Sequence, residues 1–132
     1  MKIFSLIFIF VSLIFAADFY DDHGNKTGRS EERGNTTQYY DSHGNRAGKS
    51  EEHGNTRRFY DEHGNQSGRA VTQGNTVRYY DSHGNNSGKA VTQGNTTKYY
   101  NDHGNYVGKS RVNSDGSVDY YDAYGNRVGK SR

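Results

Sequence analysis

From residue 18 onward, short aromatic-led segments alternate with polar, glycine-bearing ones at a fixed interval. The pattern aromatic-Tyr-Asp/Asn-x-His/Tyr-Gly-Asn starts at Phe19, Tyr39, Phe59, Tyr79, Tyr99 and Tyr120, so the first five copies are 20 residues apart and the last 21. A repeat at this period marks an array of one supersecondary unit. Paired aromatics suit a strand. In Asp41-Ser42-His43-Gly44 the Asp stands where a carboxylate caps a type I turn, and the Gly where a left-handed residue closes a three-residue hairpin with a bulge. Gly-Asn recurs about ten residues later, at Gly34, Gly54, Gly74 and Gly94, with Gly116-Ser117 as an irregular fifth copy. The chain thus reads as strand, turn, strand, turn, which predicts an antiparallel meander of twelve short strands, with residues 36–41 and 45–50 as a typical pair.

Successive strand residues point to opposite faces, so the two adjacent aromatics of each copy separate. One face carries Phe19, Tyr39, Phe59, Tyr79, Tyr99 and Tyr120. Pairing Asp41 with Asn45 and Glu51 with Asn55 interleaves them with Thr27, Ala47, Ser67, Ser87, Val107 and Val128. Phe replaces Tyr only on this face, which predicts burial without need of the hydroxyl. The other face carries Tyr20, Tyr40, Tyr60, Tyr80, Tyr100 and Tyr121, keeps its hydroxyl in each copy, and is expected to be wet. Gly28, Gly48, Gly68, Gly88, Gly108 and Gly129 fall inside strands, where either neighbouring rings cover them or the sheet bends.

Composition changes this picture at the N-terminus. Lys2 followed by the apolar run 3–15 and by Ala16 and Ala17 has the form of a secretory signal peptide, and the run is too short to span a bilayer. The expected organisation is a signal peptide over 1–17 and one repeat domain over 18–132, made of about six 20-residue β-hairpin units. The expected fold is all-β: an antiparallel hairpin array, either an extended meander or a β-solenoid. The expected location is the periplasm, the cell surface or the medium, with no stable membrane insertion once the leader is removed. Beyond residue 17 there is no Leu, Ile, Met, Trp or Pro, and the whole chain has no Cys, so neither an aliphatic core nor a disulfide holds the domain. Its tyrosines must do so. Without Lys2 the 17 Lys and Arg become 16, against 15 Asp and Glu. The charges interleave along the sequence, unlike the basic stripe of a nucleic-acid-binding protein, and no nucleic-acid partner is expected.

The Tyr-Tyr hairpin with its second Gly turn resembles the cell-wall-binding repeats of the choline- and glucan-binding type. More loosely, it is similar to the tyrosine-aspartate repeats of bacterial surface proteins. The resemblance covers 19–131 and implies a hairpin array at a cell envelope. In choline-binding repeats neighbouring aromatics cage a quaternary ammonium, favoured by Trp. Here Trp is absent, and Arg29, Lys49, Arg69, Lys89, Lys109 and Lys130 follow the strand glycine, a cationic ring that would repel choline.

Catalysis has little support, because near-identical copies provide no single asymmetric nucleophile. No cofactor is expected. Asp-x-His at Asp21/His23, Asp41/His43, Asp61/His63 and Asp81/His83, with Asn101/His103, offers donor atoms suited to transition metals. Each copy supplies one imidazole, however, and the Asp and Gly are accounted for by the turn. Sequons at Asn25, Asn35, Asn65, Asn85 and Asn95 follow from Gly-Asn turns entering Thr- or Ser-bearing strands. The reading that results is an exported, non-enzymatic repeat protein. It binds envelope polysaccharide or a surface protein through Tyr20, Tyr40, Tyr60, Tyr80, Tyr100 and Tyr121. A purely structural spacer is the first alternative, and metal binding at His23, His43, His63, His83 and His103 the second.

Overall fold

A computed structural model describes residues 17–132; the predicted leader, apart from Ala17, lies outside the described residues. Twelve strands follow one another: β1 (Asp18–Asp21), β2 (Lys26–Arg33), β3 (Thr36–Asp41), β4 (Arg46–His53), β5 (Thr56–Asp61), β6 (Gln66–Gln73), β7 (Thr76–Asp81), β8 (Asn86–Gln93), β9 (Thr96–Asn101), β10 (Tyr106–Val112), β11 (Val118–Asp122) and β12 (Arg127–Ser131). Each pairs antiparallel with its sequence neighbours, and β1 also pairs with β12, so the array closes into a barrel. The antiparallel hairpin array is therefore present, and its ends meet. It is neither an open meander nor a solenoid.

The Asp-x-x-Gly turn has the predicted geometry. Gly44 N–H donates to the Asp41 carbonyl at 3.1 Å, Asp41 N–H donates to the Asn45 carbonyl at 2.8 Å, and Gly44 has φ +85°. A positive φ of this kind clashes with a Cβ, which Gly lacks. The turn at the opposite end differs from expectation. Gly54 (φ +60°) and Asn55 form a two-residue loop closed directly by His53 opposite Thr56. A left-handed Gly at the first central position, with no positive φ at Asn55, is the type II′ turn, whose twist matches that of the strands it joins.

This turn resets the register. Glu51 lies opposite Arg58 rather than pairing with Asn55, and Phe59 faces Ser50 instead of Ala47. Ala47 is the extra residue of a second bulge, because Tyr40 pairs with Arg46 while Tyr39 pairs with Gly48. It is exposed, as is Thr27, whereas Val107 at the same place in β10 is half-buried against the core. The expected second strand, 45–50, is accordingly β4, which continues to His53.

The faces separate as predicted. Phe19, Tyr39, Phe59, Tyr79, Tyr99 and Tyr120 point into the barrel and are buried. Small residues lie beside them: Ser30, Ser50, Ala70, Ala90, Ser110 and Ser131. The strand glycines share this inward face and are not explained by ring cover. A Cβ on Gly28 would lie 2.5 Å from the Tyr40 carbonyl oxygen and one on Gly68 2.6 Å from that of Tyr80. Only Gly lets adjacent backbones approach so closely. A Gly and a bulge in each hairpin supply the repeated corners that curl a sheet into a barrel.

Candidate functional site

The buried hydroxyls are not idle. Tyr39 Oη lies 3.0 Å from Ser50 Oγ, Tyr99 Oη 2.8 Å from Ser110 Oγ, and Tyr120 Oη 3.1 Å from Ser131 Oγ. This corrects the expectation that the inward position has no use for a hydroxyl. At the corresponding position Phe59 and Tyr79 have Ala70 and Ala90, and Phe19 has Ser30. Burial raises the Tyr79, Tyr99 and Tyr120 phenols above their ordinary range. Arg57 acts in the opposite sense on Tyr79. Arg57 points inward near the type II′ end and donates to Glu52 at 2.9 Å. The interior is thus a packed, internally satisfied set of rings and hydroxyls.

The second aromatic row points outward. Tyr20, Tyr40, Tyr60, Tyr80, Tyr100 and Tyr121 are half-buried along the outer wall. Each carries a cation over its ring. The Arg29 guanidinium carbon is 4.4 Å from the Tyr40 centroid and that of Arg69 4.7 Å from Tyr80. The ammonium nitrogens of Lys49, Lys89 and Lys109 are 5.1, 5.4 and 5.5 Å from Tyr60, Tyr100 and Tyr121. Tyr20 is covered by Arg132, at 5.1 Å, and not by Lys130. These distances are within cation–π range. The expected cationic ring is therefore stacked on the protein's own tyrosines. Tyr106 adds an edge contact to Tyr100, with centroids 6.1 Å apart. Every strand carries polar or charged residues at outward positions, unlike the apolar outer band of a lipid-facing barrel.

The turn histidines lie at one mouth. His23, His63 and His103 are 74–78% exposed and pair with their own preceding acids, at 2.8 Å for Asp22, 3.6 Å for Glu62 and 2.8 Å for Asp102. His43 and His83 lie 3.3 Å from the hydroxyls of Ser42 and Ser82. Among the described residues, the group of three metal-ligating side chains is Asp21, Asp22 and His23, within one turn. Asp21 is already committed there: Oδ1 accepts from the backbone N–H of His23 and Asn25, and Oδ2 from the Asn25 amide. These bonds, led by that from Asn25, hold its carboxyl below the ordinary aspartate range. Asp41, Asp61, Asp81 and Asp122 repeat the arrangement and the shift. The row reads as turn chemistry, with exposed imidazoles on its outside.

Register also brings together residues that linear reading kept apart. On the outer wall Arg58 lies opposite Arg69, Arg78 opposite Lys89, and Lys98 opposite Lys109. Position-by-position comparison of the 20-residue units held the signal, because Glu31 and Glu51 are replaced by Val71 and Val91 in the next two units. No protein-family model matches the chain, and no curated protein compared with it matches.

Proposed function

We propose that the chain is an exported, non-enzymatic β-barrel that binds or scaffolds at a bacterial cell envelope, engaging polysaccharide or a protein partner through its outer tyrosine-bearing wall. The observation that carries this reading is the outward row of Tyr20, Tyr40, Tyr60, Tyr80, Tyr100 and Tyr121, repeated on every hairpin and edged by cations. Half-buried rings fixed by their neighbours lose little freedom on binding, and a phenol offers an apolar edge beside a hydroxyl. The chemistry of the turns and the interior is spent on structure, which leaves the outer wall as the surface with recognition groups to spare. Its resemblance to cell-wall-binding and tyrosine-aspartate repeats supports the envelope setting.

A structural spacer is the competing reading, favoured by the cation already seated over each outer ring. Equilibrium binding to isolated envelope glycans separates the two. Replacing Tyr40, Tyr60 and Tyr80 together by Ala is expected to lower affinity at least about tenfold, which is 1.4 kcal/mol, while the β-sheet circular dichroism persists. Wild-type protein that binds neither glycan nor any envelope protein would leave the spacer standing.

A further inference from the structure

The outer wall is not electrically uniform. On β2 and β4 each ring-stacking cation has an acid two residues on: Arg29 pairs with Glu31, and Lys49 with Glu51 at 2.6 Å. On β6 and β8 that acid is Val71 or Val91, and Arg69 and Lys89 are exposed. The intervening strands add Arg58, Arg78 and Lys98, all exposed, where β3 has Gln38 and β11 has Asp119. The result is a belt of Arg58, Arg69, Arg78, Lys89, Lys98 and Lys109 on six consecutive strands, roughly 24 Å across at ~4.8 Å per strand. Glu51 opposite Arg58 bounds it on one side, and Asp119, opposite both Arg111 and Lys130, on the other. No outward position of β6, β7, β8 or β9 is acidic.

Within the belt, like charges stand directly opposite one another three times: Arg58 and Arg69, Arg78 and Lys89, Lys98 and Lys109. Such pairs are destabilising. Stacking on Tyr80, Tyr100 and Tyr121 holds one cation of each pair, and Arg78 donates to Gln73 at 3.2 Å, but none of these contacts neutralises the opposed charges. Breaches of a local rule concentrate at functional sites. A groove of about 450 Å³ lined by Val91, Gln93, Thr96, Lys98 and Tyr100 lies on the same wall.

We propose that this belt over β5–β10 binds an acidic polysaccharide, whose repeated carboxylates lie across the strands and neutralise the opposed cations. The proposal rests on the glycan-binding reading above and narrows it to one charge class and one side of the barrel. Charge complementarity selects a polyanion. Tyr80 and Tyr100 discriminate among polyanions: their ring faces are covered by Arg69 at 4.7 Å and Lys89 at 5.4 Å. Single-stranded nucleic acid requires open aromatic faces on which bases stack. A sugar polymer needs only the cations, the Tyr hydroxyls and the amide of Gln93.

The test is titration of the protein, expressed from the full chain, with polygalacturonate, neutral dextran and a single-stranded DNA oligonucleotide. Polygalacturonate should bind, with affinity falling about a hundredfold between 50 and 200 mM salt as counterions are released, and dextran should not compete. The double variant Arg78→Gln with Lys98→Gln should lose at least about tenfold in affinity, with thermal unfolding unchanged or raised, because it relieves like-charge pairs. Lys26→Gln with Arg33→Gln removes the same charge outside the belt, at cations that stack on no outer ring, and should stay within about twofold. Equal losses in the two double variants would show a net-charge effect and overturn the belt. Dextran binding without polygalacturonate binding would overturn the acidic ligand while leaving the glycan-binding reading intact. Tighter binding of DNA than of polygalacturonate would overturn both the ligand class and the argument from covered rings.

Discussion

Tyr39 and Phe59 occupy the same inward place in successive hairpins, and the residue eleven positions on is Ser50 for one and Ala70 for the other, while Phe19 with Ser30 and Tyr79 with Ala90 show that the two positions also vary independently. In the Tyr39 hairpin the two side chains are joined by a hydrogen bond. Ser50 is 1% exposed, and its hydroxyl shares a hydrogen bond with the Tyr39 phenol. Tyr39→Phe removes one partner and strands the other, at a cost of about 1–3 kcal/mol. Adding Ser50→Ala recreates the Phe59/Ala70 pair and should recover most of that loss. A double-mutant cycle by denaturant unfolding measures it, and strictly additive single effects would show that the bond contributes nothing. That this face is buried was legible because Phe substitutes for Tyr on it and on no other. The hydroxyl's partner was not legible, since it depends on a register three residues from the one that the Gly-Asn turn suggested.

At the scale of the hairpin, the two turns were unequally readable. Asp-x-x-Gly specifies its geometry through side chains, a capping carboxylate and a left-handed Gly. Gly-Asn is compatible with several loops, and only the pairing of His53 with Thr56 selects the two-residue form. The capped turn carries a pH dependence. Backbone donors hold the Asp21, Asp41, Asp61, Asp81 and Asp122 carboxyls below their ordinary value. A group whose folded pKa is depressed contributes stability that is complete above its unfolded pKa, about 4 for Asp, and is lost as pH falls through the folded value. The fifth hairpin contains its own control: Asn101 Oδ1 accepts from His103 and Asn105 N–H at 3.0 and 2.9 Å without a titrating group. Asp41→Asn should keep the turn, lower stability slightly at pH 7, and flatten the decline between pH 5 and pH 2. Urea unfolding across that range reads the slope, and a decline as steep as wild type would exclude Asp41 as a contributor.

For the whole molecule, the sequence announced strands, turns and faces but not closure, because no residue pattern states that the first strand meets the last. Closure comes from curvature accumulated at a bulge and a close-packed Gly in each hairpin. The charge belt was hidden for a related reason. Interleaving along the chain becomes segregation once only alternate residues of paired strands face outward. The seam itself is modest: three pairs, Phe19 with Ser131, Tyr20 with Lys130 and Asp21 with Gly129, extended by Asp18 N–H to the Arg132 carbonyl at 2.7 Å and Arg132 N–H to the Asp18 carbonyl at 3.0 Å. No turn connects these strands, so the seam is where the barrel opens at least cost, and amides of β1 and β12 should be the first strand amides to exchange with solvent. Closure removes sheet edges that would otherwise pair with other chains. A chain ending at Asn126 lacks β12, leaves β1 and β11 as edges, and deprives the Tyr120 hydroxyl of Ser131. It should remain β-rich yet associate through the exposed edges, with sedimentation rising with concentration, while the intact chain does not change. A truncated chain that stays monomeric with an unaltered melting temperature would mean that the seam contributes neither stability nor protection, and that the hairpin curvature of the remaining eleven strands alone holds the wall in place.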